Sequence, residues 1–172
     1  MSASVVFGDV YTNNENIINQ LKAVYLEKFS LFTDWPSESK IYDKDKPFII
    51  DILGEDSPLS QEIKRTFQEE NISILNKKVK FNFIEKFSEI TDCHILFITE
   101  NSINTIEEIA DFVKTKPILV ISDVEGDAQK GAHINFYLTS EGKLHFEINA
   151  NVARSSRVQI NSRLLRIAKI IE

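Results

Sequence analysis

The chain has 172 residues, 42% hydrophobic and 27% charged, which suits one domain with a sizeable core rather than a disordered chain. Its net charge of −6 works against general binding to nucleic acid or an anionic membrane, because phosphate binding needs a basic field. One cysteine excludes an intrachain disulfide, and no apolar run approaches the ~20 residues of a membrane-spanning helix. The opening MSASVVFGDV has neither a basic region nor a long apolar stretch, so it does not read as a signal peptide; it is compatible with a remnant of a trimmed one. Residues 1–12 read as a tail and 13–172 as one α/β domain.

The first predicted helix spans Asn13–Phe32, with Ile17, Leu21, Val24, Tyr25, Phe29 and Phe32 at helical spacing, and Trp35-Pro36 stops it. After a polar loop, Phe48–Leu53 reads as a buried strand. Ser57 suits an N-cap and Pro58 a first helical position, followed by Leu59, Ile63 and Phe67 on one face. Val79–Ile84 alternates apolar and polar residues like a half-buried edge strand, and a short turn follows at Phe87–Thr91. His94–Ile98 and Ile118–Ile121 are continuous apolar strands flanking a helix over Thr105–Lys114. Alternating strands and helices with apolar central strands predict an α/β single domain: a largely parallel sheet with helices on both faces. A C-terminal antiparallel hairpin, Ile134–Leu138 with Lys143–Ile148, closes it, followed by a helix carrying Leu164, Ile167, Ala168 and Ile171 inward.

No catalytic constellation emerges, and the chain reads as a non-enzyme without cofactor. Asp51 with Glu55 and Asp56 could bind a metal, but the rest of a receiver-domain pattern is missing, so a solvated helix-capping turn is expected. His94, His133 and His145 lack metal-ligand spacing; Cys93 and His94, as strand neighbours, point to opposite faces. Cys93 reads as a buried thiol. Ser122-Asp123 ends a central strand, where it can open a turn or meet a ligand. Four of the five arginines, Arg154, Arg157, Arg163 and Arg166, crowd the C-terminal stretch and suit an anionic contact; Glu147 could pair with one internally. Trp35 is expected to plug the core or to line an apolar groove.

The C-terminal stretch resembles the YfiR family of small bacterial periplasmic proteins. The family's Gly-Gly-Met-Ile-x-Phe strand falls at Gly131–Phe136, its Phe-Glu-Ile-Asn strand at Phe146–Asn149, and its Ser-x-Leu-Leu-x-Leu-Ala helix at Ser162–Ala168. Its opening aromatic helix, ending Phe-x-x-x-Trp-Pro, matches the Tyr25–Pro36 segment, and its Pro-Val-Leu-Thr-Val-Ser-Asp run matches Pro117–Asp123. Ala132 and His133 replace the second glycine and the methionine, and any disulfides of relatives are missing.

The resemblance implies a non-catalytic periplasmic regulator. It would bind and inhibit a membrane-bound diguanylate cyclase or sensor kinase, would be opposed by an outer-membrane lipoprotein, and would restrain cyclic di-GMP and biofilm formation. A homodimer fits this reading; nucleic acid and direct membrane insertion do not. An alternative is a domain that senses a small metabolite and relays it to a partner. The residues proposed for partner or ligand are Trp35, Ser122, Glu147, Asn149, Arg154 and Arg157.

Overall fold

The computed structural model describes residues 4–172, with side chains described from residue 14; the expected tail falls on residues 1–3, outside the described residues, and on backbone-only positions 4–12. Helix α1 runs Ser4–Leu31 and leads into the two-residue strand β1, Thr33–Asp34. An alternating series follows: β2 (Phe48–Leu53), α2 (Pro58–Glu69), β3 (Val79–Ile84), β4 (Ile95–Ile98), α3 (Ile106–Val113), β5 (Leu119–Ser122), α4 (Asp127–Lys130) and β6 (Ile134–Leu138). The chain closes with β7 (Leu144–Asn149), α5 (Ala150–Ser155), β8 (Gln159–Ile160), α6 (Ser162–Leu165) and β9 (Lys169–Ile171).

Seven strands form one sheet in the order β3-β2-β4-β5-β6-β7-β9. The first five are mutually parallel, β7 returns antiparallel to β6, and β9 lies parallel to β7. The first five strands therefore reverse order between β2 and β4, a doubly wound arrangement. Apolar β4 and β5 are buried on both sides, as fully apolar strands require. One face packs under α1 and α2, and the other under α3. Single-domain α/β architecture with a mostly parallel sheet is thus what the sequence pattern implies.

Local chemistry sets the helix ends. Ser57 accepts from the Ser60 amide at 3.2 Å and Ser60 Oγ accepts from the Ser57 amide at 2.8 Å, closing a capping box before Pro58. At the end of α1, Ser30 Oγ donates to the Leu26 carbonyl, Thr33 Oγ1 to that of Phe29, and Trp35 Nε1 to that of Ser30. The Thr33 and Trp35 side chains satisfy carbonyls of the last turn that lack amide partners, while Ser30 shares the Leu26 carbonyl with the helix's own ladder. Gly54, at φ +135°, ends β2 where a Cβ would stand 2.0 Å from Thr99 Oγ1, so only glycine lets this loop pass the one after β4.

Two expectations need correction. Ile17, Leu21 and Val24 are exposed, whereas Ala23, Leu26, Phe29 and Ser30 are buried. Helix α1 is apolar on more than one side, and the face that wins carries the rings. Tyr25 and Phe29 meet Phe136 and Phe146 at centroid distances of 4.9–5.9 Å. The closing helix is a single turn capped by Asn161, and only Leu164 of its expected apolar residues is buried. Ile167 is 68% exposed, and Lys169–Ile171 extends to pair with β7. The free backbone edge of β7 takes hydrogen bonds that another turn of helix could not supply.

Phe146→Ala should cost about 3–5 kcal/mol in chemical denaturation and Leu164→Ala about 2–5 kcal/mol. Ile167→Ala should stay within about 0.5 kcal/mol of the parent, as expected of an exposed position.

Candidate functional site

The acidic positions at β2 do not gather into a metal site. Asp51 is fully buried rather than solvated, which corrects the helix-capping expectation for it. Its carboxylate accepts from Asn82 Nδ2 at 2.8 Å, from the Thr91 amide at 2.9 Å and from Thr91 Oγ1 at 3.1 Å, tying β2 to β3 and to the segment before β4. Asp56 accepts from Gln61 and Ser60 at the start of α2. Among the described residues no three His, Cys, Asp or Glu side chains are grouped as a metal would need. Cys93 is buried, and desolvation, reinforced by the Asp51 charge, holds its thiol well above its ordinary pKa. A thiol so held is a poor nucleophile.

His94 and His133 play matching structural parts. The Nδ1 of His94 accepts the Ile49 amide at 3.0 Å, and that of His133 accepts the Val120 amide at 3.1 Å. Each acceptor must be unprotonated, so Nε2 carries the hydrogen in both rings. His94 also stacks on Phe48 at 4.6 Å, with Trp35 edge-on at 6.1 Å. Trp35 is therefore part of the core.

Ser122 and Asn149 are buried and hold the backbone. Ser122 Oγ donates to Asp127 Oδ2 at 2.6 Å and accepts from the Val124 amide at 3.0 Å, opening the turn into α4. Asn149 Oδ1 accepts from the Val152 amide as the cap of α5, while its Nδ2 donates to the Ala128 carbonyl at 2.7 Å. Arg154 and Arg157 are exposed on the connector; Arg154 donates to Asn151, and Arg157 pairs with Glu38. Antiparallel pairing of β1 with β8 sets that connector beside the Trp35 segment. Glu147 is buried and pairs with Lys169 of β9 at 3.1 Å rather than with an arginine. The six sequence-proposed residues thus divide between core, exposed connector and one further place.

That place is a cleft of about 850 Å³ between the middle of α1 and the β6–β7 hairpin, and of the six only Glu147 lines it. Lys22 of α1 reaches Asp123 across its floor at 2.8 Å, with both side chains nearly buried. Burial raises the Asp123 carboxyl above its usual range, against the pull of Lys22. The sequence marks Asp123 at a strand end but not its partner, because Lys22 and Asp123 are 101 positions apart and Lys22 belongs to no local motif. The legible part of the signal was the acidic character of the segments after β4 and β5, Glu100, Asp123 and Glu125.

A comparison with family models matches residues 19–169 to a family described as YfiR/HmsC-like. The chain belongs to the YfiR/HmsC-like family. A comparison with curated proteins finds no match. The YfiR/HmsC-like match runs from α1 into β9, so it takes in the arginine connector and the cleft lining from Asn19 onward. The family match supports a periplasmic regulator in cyclic di-GMP signalling. Among the described residues no helix is long and apolar enough to cross a membrane.

Burial depresses the pKa of both His94 and His133 from 6.5 to about 4. The unfolded chain therefore takes up protons that the native state refuses: stability is present above pH 6.5 and lost as pH falls toward 4. Asp123 and Asp127, raised above 3.8 by burial, act in the opposite sense: their stability is present below 3.8 and is lost as pH rises through their native values. Lowering pH from 7.5 to 5.5 should cost about 1 kcal/mol per histidine, read as a drop in the urea midpoint. Ring C–H chemical shifts should show both imidazoles neutral in the folded protein across that range.

Proposed function

We propose that this protein binds the ectodomain of a membrane-bound diguanylate cyclase or sensor kinase from the periplasmic side and holds it inactive. The observation that carries the reading is the family match over residues 19–169. Occupancy of the ectodomain would block its signalling conformation, keeping cyclic di-GMP low and restraining biofilm formation. Release, in the manner the family resemblance implies, would come from an outer-membrane lipoprotein competing for the same surface. A homodimer is compatible with this role; nucleic acid and membrane insertion are not part of it, in keeping with the net charge of −6.

The docking surface we assign is the connector from α5 to α6. It carries exposed Arg154, Arg157, Arg163 and Arg166 on a chain that is acidic elsewhere. Guanidinium forks suit carboxylates on a partner. Arg157 already holds Glu38, so Arg154, with only a side-chain amide for company, is the more available of the pair.

Tagged protein should capture a membrane cyclase or sensor kinase from envelope extract, and adding the purified protein should lower cyclic di-GMP output by that target. Arg154→Glu should weaken capture about tenfold with circular dichroism unchanged, consistent with the loss of a partner charge pair. Capture at parental strength by the folded variant would move the docking surface elsewhere. A captured cyclase or kinase whose output does not respond would overturn the inhibitory role.

A further inference from the structure

We propose that the cleft between α1 and the β6–β7 hairpin is a binding site for an organic cation, an aliphatic amine or short polyamine. The site stands apart from the arginine connector, and its test needs no protein partner. It also gives the metabolite-sensing alternative a place and a chemistry different from those drawn from the sequence.

Charge is the first argument. Five carboxylates line the cleft, Glu15, Glu100, Asp123, Glu125 and Glu147, against two ammonium groups, Lys22 and Lys169. Both ammonium groups are already taken, Lys22 by Asp123 and Lys169 by Glu147. Glu15, Glu100 and Glu125 have no ion-pair partner among the described residues. A concave surface with this excess concentrates cations and repels anions.

The second argument is an unpartnered amide. Asn19 is 4% exposed and lines the cleft; its side chain makes no hydrogen bond to any described residue, and its amide atoms are open to the cleft rather than sealed in the core. Buried side-chain amides are almost always partnered, by protein, water or ligand. Its Oδ1 accepts and its Nδ2 donates, so an ammonium N–H entering the cleft would find an acceptor there.

The walls supply the rest. Ile18, Leu59, Leu138 and Leu144 give an aliphatic surface, and Leu138 is 52% exposed. Lys169 Nζ lies 5.3 Å from the centroid of the Tyr137 ring, so the protein's own ammonium already shows how this wall receives a cation. The cleft volume, about 850 Å³, admits a chain of several methylenes. The cleft also borders the C-terminal ends of β4 and β5, where open α/β sheets commonly take ligands. Acidic rim, aliphatic wall and an amide open to the cleft together select an amine with an apolar body over a carboxylate or a phosphate.

Calorimetric titration of the full chain at low salt with 1,6-diaminohexane, hexylamine and hexanoate tests this. Both amines should bind one to one, and hexanoate should give no heat. The double variant Glu100→Gln/Glu125→Gln, at two exposed positions, and Asn19→Leu should each weaken diamine binding about tenfold. Asp111→Asn, on the opposite face of the sheet, should leave it unchanged. The glutamate variant keeps the test valid if Asn19→Leu fails to fold. Hexanoate binding as tightly as the amines, no diamine heat up to ~10 mM, or equal losses in Asp111→Asn and the glutamate variant would overturn the assignment.

Discussion

The structure depends on a knot of aromatic rings. Tyr25 and Phe29 on α1 meet Phe136 on β6 and Phe146 on β7, and Phe136 touches Phe97 of the central strand β4. This contact decides which side of α1 is buried, overriding the apolar stripe of Ile17, Leu21 and Val24. It also fixes α1 across the hairpin strands of the sheet, because the rings of helix and hairpin interlock. Everything said of the cleft follows from it: α1 is pinned to the hairpin at Tyr25 and Phe29, and the cleft lies farther up the helix toward its N-terminus, where smaller and polar residues Asn19 and Lys22 replace rings.

Two surfaces at different places in one fold then carry different chemistry. The connector after β7 is basic and exposed, while the cleft beside α1 is acidic and concave. They are joined by short covalent and hydrogen-bonded paths. Glu147 lines the cleft from β7, two residues before Asn149 caps α5, and α5 carries Arg154. Lys169 of β9 also enters the cleft, immediately after the α6 turn that bears Arg163 and Arg166. A ligand that disturbed the Glu147–Lys169 pair would act on both ends of the basic segment at once. That is the geometry in which binding at one place biases binding at another, provided the ligand distinguishes two arrangements of the pair.

Much of the fold was legible because its strands are unambiguous. Phe48–Leu53, Ile95–Ile98 and Leu119–Ser122 are apolar runs bounded by turn residues, and their register follows from burial on both faces. Capping also reads directly, as at Ser57-Pro58. The closing segment was harder: Arg163–Ile171 has helical spacing, but strand β7 has an edge that only an extended chain can complete. The site was the least legible part. Its members come from α1, from the loops after β4 and β5, from the hairpin and from β9, and no spacing rule links residues that only the sheet brings together. Ser122, Asn149 and Trp35 drew attention because their residue types often bind ligands. In the folded chain their polar atoms are spent on backbone groups and, for Ser122, also on the Asp127 carboxylate.

The same aromatic knot has a consequence for how the chain is made. Phe136 and Phe146 lie more than one hundred residues downstream of Tyr25 and Phe29, and β1 waits as long for β8. Packing α1 on β6 and β7 therefore waits for long loops to close, whereas its contact with α2, Gln20 to Glu62, spans only 42 positions. The parallel strands β2 to β5 and helix α2 can associate earlier, so the ring-bearing part of α1 is what waits for the hairpin. The β6–β7 hairpin, rather than the central strands, is therefore the piece whose arrival closes the core over the rings of α1.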